Sequence, residues 1–408
     1  MRLTRRITLF GMASFGLCGC VSGSSRVQPV AQTQYPAVAN PDFDVWVTGF
    51  KARAVARGLT VATVDRAFRN AGYLPDVIDK DRHQTEFTRT LQDYLAIAGS
   101  DARIAMGQAG LAQYAGLFSA ITARYDVDTP IIAAIWGLES FYGTRRGTVP
   151  VIAALATLAF DGRRGAFFES QLMAALRILD HGDVSPEAMT GSWAGAMGHT
   201  QFIPTTYLEF AVDFQGDGRR DIWGDDPTDA LASTANYLAK AGWARGQPWG
   251  QEVAVPAGAA AHAGHSGSKT DWQNLGVTRA DGGALADHGP GVLIMPEGGS
   301  GPAFLTYHNY SVIARYNNAQ SYIIGVGYLA DRLAGGPALR FAFPPDGNGL
   351  LIGDRQRLQS RLTALGFDTG GTDGVIGANT TAAISAFQAQ HGLAVTGVPS
   401  LKLLALLG

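Results

Sequence analysis

Glu139 is the one charged residue in the run Ile131-Ile132-Ala133-Ala134-Ile135-Trp136-Gly137-Leu138-Glu139-Ser140-Phe141-Tyr142-Gly143. Thr129-Pro130 ahead of it reads as an N-cap and first helical residue, and Gly143 as the C-terminal stop, so the spacing predicts a short helix. On that helix Glu139 stands one turn from Ile135 and Trp136 and near Tyr142 and Gly143. Apolar and aromatic surroundings disfavour the ionised form, so this carboxyl is expected to keep its proton near neutral pH. A general acid for glycosidic-bond cleavage needs that property. The competing reading is a helix-end Glu that reaches solvent, since ionisable side chains are rarely buried unpaired.

A second stretch with chemical potential is Gly191-Ser192-Trp193-Ala194-Gly195-Ala196-Met197-Gly198-His199-Thr200-Gln201-Phe202-Ile203-Pro204-Thr205-Thr206-Tyr207. Its small residues allow backbone to approach a ligand, Gln201 offers an amide and Phe202 a flat face. Duller readings stand beside these. Phe202 and Tyr237 sit at helix-like spacings and could be core, Ser192 could cap a helix, and the adjacent Arg163 and Arg164 could be a solvated pair. His199, a lone histidine, is given no catalytic role. The histidines at 262, 265 and 288 lie in Gly/Ala-rich loops without a zinc-ligand pattern.

The elements that must position these residues are mostly helical. Helix-periodic segments fall near residues 44–57, 64–70, 87–97, 102–125, 172–179, 230–241 and 321–333. Residues 249–302 break the pattern with strand-like pieces at 252–255 and 292–295, and read as a β-containing insertion within a body spanning 41–335. Gly335-Gly336-Pro337 and Pro344-Pro345-Asp346-Gly347 bracket a linker, 336–351.

At the other end, Arg2, Arg5 and Arg6 precede an uncharged run and Leu17-Cys18-Gly19-Cys20, the pattern of a lipoprotein signal (residues 1–20) with Cys20 as the lipid-modified residue. The run is too short and too rich in Gly and Ser to span a bilayer. Residues 21–40 read as a flexible tether. Thr4-Arg5-Arg6 is a weak twin-arginine echo, and Val21, where inner-membrane retention favours Asp, points to the outer membrane, with the protein facing the periplasm. Both cysteines lie in the signal, which leaves the mature chain no disulfide and no thiol nucleophile. Acidic and basic residues nearly cancel (32 − 34 = −2) without a basic tract, which argues against nucleic acid and is compatible with a carbohydrate polymer.

Residues 352–408 form a separate module. Leu358, Leu362 and Leu365 make one helical stripe, Ala383, Ile384 and Phe387 another, and Gly366, Gly374 and Gly377 suit the turns between them. With Asp373-Gly374, Phe387-Gln388 and Gly392-Leu393, the pattern resembles the three-helix peptidoglycan-binding domain.

From about residue 42 to 333 the chain resembles the membrane-bound lytic transglycosylase B family of murein-cleaving enzymes. The resemblance runs through Asp81-Arg82-His83-Gln84-Thr85-Glu86-Phe87, Trp136-Gly137-Leu138-Glu139-Ser140, the 191–207 stretch and Arg315-Tyr316-Asn317-Asn318. It implies a mainly α, lysozyme-like α+β catalytic domain and a carbon–oxygen lyase. That enzyme would cut the β-1,4 bond between N-acetylmuramic acid and N-acetylglucosamine without water, leaving 1,6-anhydro ends. Glu139 would be the single acid/base. Ser192, Gln201, Phe202, Tyr237, Tyr316 and Asn317 would line the sugar cleft, with Arg163 and Arg164 near the peptide or lactyl groups. Glycan strands would be the partner, with room for wall-synthesis proteins.

Some members carry a calcium site, and Asp213-Phe214-Gln215-Gly216-Asp217-Gly218-Arg219-Arg220-Asp221 resembles the start of such a loop. Ligand positions would be Asp213, Gln215, Asp217, Arg219 (through its carbonyl) and Asp221. Gln215 at the third position and Gly224 in place of the bidentate acid depart from the pattern and favour a structural turn, and no cofactor is required. Two other classes remain open: a lysozyme-type hydrolase, for which Asp161 and Glu169 are the nearest second carboxylates, and a non-catalytic wall-binding lipoprotein.

Overall fold

The computed structural model describes residues 35–83 and 89–408; Cys20, the signal, most of the tether and Gln84-Thr85-Glu86-Phe87 lie outside the described residues. The chain opens with α1 (Pro41–Ala56), α2 (Val61–Phe68), α3 (Pro75–Arg82), α4 (Leu91–Ala98), α5 (Asp101–Gln113), α6 (Ala115–Tyr125) and α7 (Thr129–Ser140). It continues through β1 (Val149–Pro150), α8 (Val151–Asp161), α9 (Gly165–His181), β2 (Thr190–Gly191), α10 (Pro204–Phe210) and α11 (Thr228–Lys240). The helix expected over 102–125 is two helices that meet at Tyr114.

Two apolar cores divide this body. One joins α1, α2, α3, α8 and α9 with Met189, Met197, Phe202 and Tyr207. The other gathers residues of α4 to α7 and α11 with α14 (His308–Tyr316) and α15 (Gln320–Leu333). Tyr237 and Tyr316 pack against both, so the two lobes meet along an aromatic seam. Between α11 and α14 come β3 (Gly250–Ala254), α12 (Ala257–Ala260), β4 (Ser266–Gly267), α13 (Lys269–Asn274), β5 (Thr278–Arg279), β6 (Gly291–Ile294) and β7 (Ala303–Thr306). The strands pair antiparallel in the order β4-β6-β7-β3-β5 over a core of their own. The central strand β7 lies just past the insertion's expected end at 302.

Helix α7 buries every residue from Ile131 to Gly137. Its N-cap is Asp128 and not Thr129, and the Asp128 carboxylate gives the helix no cap bond because it accepts from Trp243 Nε1 (2.9 Å) and the Gly246 amide (3.0 Å). The stop comes earlier than Gly143: Phe141 (φ 50°) and Tyr142 (φ 57°) are already left-handed, and Gly143 (φ 84°) is the third such residue in a row. Packing holds this costly turn. The Tyr142 ring lies so close to α7 and α5 that a Cβ on Gly137 would stand 2.6 Å from the ring, and one on Gly107 2.2 Å from the hydroxyl.

The C-terminal module is α16 (Ile352–Ala364), α17 (Ala378–Gln390) and α18 (Leu401–Leu406) around Leu358, Leu362, Ile384, Phe387 and Leu403. Leu365 was expected in the buried stripe but is 54% exposed. The helix closes there, with the Phe367 amide bonding back to Leu362 O (2.9 Å) across left-handed Gly366, and Phe367 packs on the core instead. The module is docked. Buried Arg355 reaches Asp93 (2.7 Å) and Gln92 (2.8 Å) on α4 and lies 3.8 Å from Asp346, while Glu252 on β3 accepts the linker amides of Arg340 and Phe341 at 2.8–3.1 Å.

Candidate active site at the seam of two lobes

Glu139 occupies the last turn of α7, where the helix macrodipole disfavours negative charge. It is half-buried, and its Oε1 accepts the Tyr322 hydroxyl at 2.6 Å from α15, the helix that packs along α7. Tyr322 is stacked on Tyr316 (6.4 Å between centroids, 7° between planes). Tyr316 meets Tyr237 at 5.0 Å and Phe202 at 5.9 Å, and Phe210 extends the row beyond Tyr237. Burial first, and then the Glu139 charge, push the Tyr316 and Tyr322 hydroxyls well above the usual phenol range, so both stay protonated donors. Tyr322 is the functional candidate that the sequence reading missed. A tyrosine six residues after Tyr316 inside an apolar helix carries no local sign of its carboxylate partner.

The 191–202 loop reaches the seam from the other lobe. Pairing of β1 with β2 anchors its start, and bridges from Met197 to Gly191 and Phe202 fold it tightly. The Ser192 hydroxyl accepts the Ala194 and Ala196 amides, so this serine caps its own loop and not a helix. Gln201 is left-handed (φ 53°), and both hydrogens of its amide go to the carbonyls of Arg146 (3.0 Å) and Gly198 (2.8 Å). The carbonyl oxygen is the remaining polar end of that side chain. Phe202 is 2% exposed and packs against Tyr237 and Tyr316, so it supports the aromatic row as core and does not offer an open face. The Tyr316 hydroxyl donates to Thr200 O (2.5 Å) and that of Tyr237 to Arg315 O, and both residues are partly buried. Asn317 is exposed at the end of α14, its side chain accepting from the Ala319 amide (3.0 Å).

Arg163 and Arg164 converge on the buried Asp81 of α3, Arg163 Nε at 2.8 Å and Arg164 through a second guanidinium contact, and Arg164 also covers the Phe168 ring. They form one fixed basic edge on the first lobe. The two carboxylates considered for a hydrolase are engaged by arginines: Asp161 with Arg82 (2.8 Å) and Glu169 with Arg53 (2.9 Å).

The Asp213–Asp221 loop uses its carboxylates internally. Asp213 accepts the amides of Gly216, Asp217 and Gly218, Asp217 that of Arg219, and Asp221 those of Trp223 and Gly224. Buried Asp229, absent from the sequence reading, accepts Phe214, Gln215 and Asp221. Gln215 turns its amide nitrogen to Asp226 (2.8 Å). Among the described residues no group of three or more His, Cys, Asp or Glu side chains stands so as to hold a metal.

The fold and the seam site together place the chain in a class: it belongs to the transglycosylase SLT domain family, whose profile matches residues 42–331. Residues 353–407 match the putative peptidoglycan binding domain. The chain is similar to membrane-bound lytic murein transglycosylase B of Escherichia coli (strain K12), with 34% identity over 229 residues that cover 54% of this chain and 61% of that protein, so it spans about three fifths of that relative. It is similar to SltB3 from Pseudomonas aeruginosa, solved with NAG-anhNAM-pentapeptide and with NAG-NAM-pentapeptide, at TM-score 0.73 and 47% identity over 90% of this chain and 100% of that one. It is also similar to the soluble lytic transglycosylase SltB1 of the same organism, at TM-score 0.64 and 30% identity over 71% of this chain and 98% of that one.

Proposed function

We propose that this protein is a lytic murein transglycosylase, cutting the β-1,4 bond between N-acetylmuramic acid and N-acetylglucosamine without water. The observation that carries the reading is one carboxylate, Glu139, seated at the aromatic seam with a phenol as donor. A glycosidase of the usual kind needs a second carboxylate about 5–10 Å away. Here Asp161 and Glu169 are committed to arginines, which favours a mechanism that borrows its nucleophile from the substrate.

Glu139 gives its proton to the departing N-acetylglucosamine oxygen while the muramic 2-acetamido oxygen attacks C1. The 6-hydroxyl then attacks C1, releases the acetamido group and returns a proton to Glu139. Tyr322 steadies the carboxylate formed in the first step. Tyr237 and Tyr316 offer ring surfaces to the sugars, Gln201 its carbonyl oxygen, Ser192 and Asn317 polar edges, and the Arg163–Arg164 edge suits carboxylates of the lactyl and peptide groups. No step needs a metal.

The proposal places the protein in the periplasm, tied to the outer membrane by lipid on Cys20. Among the described residues no helix is long and apolar enough to cross a membrane. Mass spectrometry of fragments released from purified peptidoglycan tests the reaction: products one water lighter than reducing muropeptides support it, and reducing ends would replace it with a hydrolase. Membrane fractionation of wild type and Cys20→Ala tests the anchor.

A further inference from the structure

His199 ties the two lobes together behind the aromatic seam. His199 is 3% exposed and sits beneath the turn that follows Glu139, where a Cβ on Gly143 would be 2.4 Å from its ring. Its Nδ1 accepts the Trp136 indole N–H at 3.1 Å, so the ring proton is on Nε2 and is donated to Gly224 O at 2.8 Å. Arg146 Nη1 lies 3.2 Å from Nε2 and shares that carbonyl. Burial first, and then Arg146, hold the imidazole below its ordinary range against the pull of the Gly224 carbonyl, so the neutral tautomer persists. The backbone is tied as firmly: His199 O accepts the Ser140 hydroxyl at 2.5 Å, and His199 N donates to Ile222 O at 3.0 Å.

Trp136 and Ser140 stand three residues before and one after Glu139, and Gln201 and Phe202 stand two and three residues after His199. One side chain and its own carbonyl therefore fix the helix carrying the acid against the loop facing the sugar. From this geometry we propose that His199 is a positioning residue for the transglycosylation chemistry, holding α7 in register with the 191–202 loop through the Trp136–Nδ1 bond so that Glu139 meets the glycosidic oxygen. The inference rests on the function proposed above. A displacement of about 1 Å at a reacting group can cost on the order of a hundredfold in rate while binding surfaces remain in place.

The test uses the chain from residue 21, a soluble glycan of defined length, and separate kcat and KM. Wild type must first yield anhydro products; if it does not, the functional reading fails and not this one. His199→Ala is expected to lower kcat by about 10- to 100-fold with KM changed less than about threefold. His199→Asn can place an oxygen where Nδ1 accepts, whereas His199→Gln can place an N–H where Nε2 donates. Asn is expected to restore most of kcat and Gln little. Trp136→Phe should match His199→Ala, and the double variant should be no worse than either single. Thermal midpoints recorded alongside distinguish lost folding from lost register. Equal kcat in all stable variants, or rescue by Gln and not Asn, would overturn the proposal.

Discussion

Glu139 and Asp229 are both carboxylates on short apolar helices, and their surroundings are opposites. Asp229 stands in the first turn of α11, where the helix dipole welcomes an anion, and receives three loop amides. Glu139 stands in the last turn of α7, with a tyrosine hydroxyl as donor and aromatic rings around it. Asp183, elsewhere in the first lobe, shows what a cation does. Burial pushes its carboxyl up, but the Arg220 side chain and amide outweigh that and hold it below the usual range. Asp229, with amides and no arginine, is left raised by burial. A carboxylate that caps a loop is surrounded by fixed donors; one that must exchange a proton with a substrate is better served by a donor such as a phenol that stays protonated.

Several experiments can break or sharpen that contrast. The largest effect is expected from Glu139→Gln, which should cut release of anhydro products by about 10³-fold while leaving thermal stability within a degree or two of wild type. Asp229→Ala should do the reverse in kind, costing about 2 kcal/mol in denaturant unfolding because three part-buried loop amides lose their buried acceptor. If instead Asp229→Ala folds normally and loses activity, the two carboxylates are not different in role.

Asp331 of α15 sharpens the comparison by pH. Asp331 is exposed at the surface, but its carboxyl accepts the Trp249 indole N–H at 3.0 Å, and local desolvation pushes it up to about 6 from 3.8, against that bond. Between those values the folded chain keeps a proton that the unfolded chain has lost, so stability should fall as pH rises from about 4 to about 6, by an amount that solvent around this exposed residue keeps small, and then level off. Asp331→Asn should flatten that slope in urea titrations across the range. Tyr322→Phe is next, with kcat down about tenfold and the pH profile of kcat displaced, since one bond to the acid is lost. The smallest effect is expected from calcium or a chelator, which should move the thermal midpoint by less than about a degree.

Much of this was legible in the chain because it is written locally. The uninterrupted apolar run around Glu139 announces a buried helix, and alternating small and aromatic residues announce the tight 191–202 loop. What was not legible depends on partners far along the chain. Tyr322 lies 183 residues from Glu139, Trp136 lies 63 from His199, and Asp81 lies 83 from Arg164. The burial of Phe202 and the exposure of Leu365 follow from which distant neighbours cover them, which helical spacing alone does not encode.

A protein that grips a polymer in one domain and cuts it in another can work as a leash or as a caliper. A leash makes the cutting end search, at a local concentration set by tether length. The Arg355 contacts to Asp93 and Gln92, together with the linker amides held by Glu252, make this chain a caliper. Under the function proposed above, a C-terminal module held on the wall would set the cut at a span fixed by the protein's own dimensions.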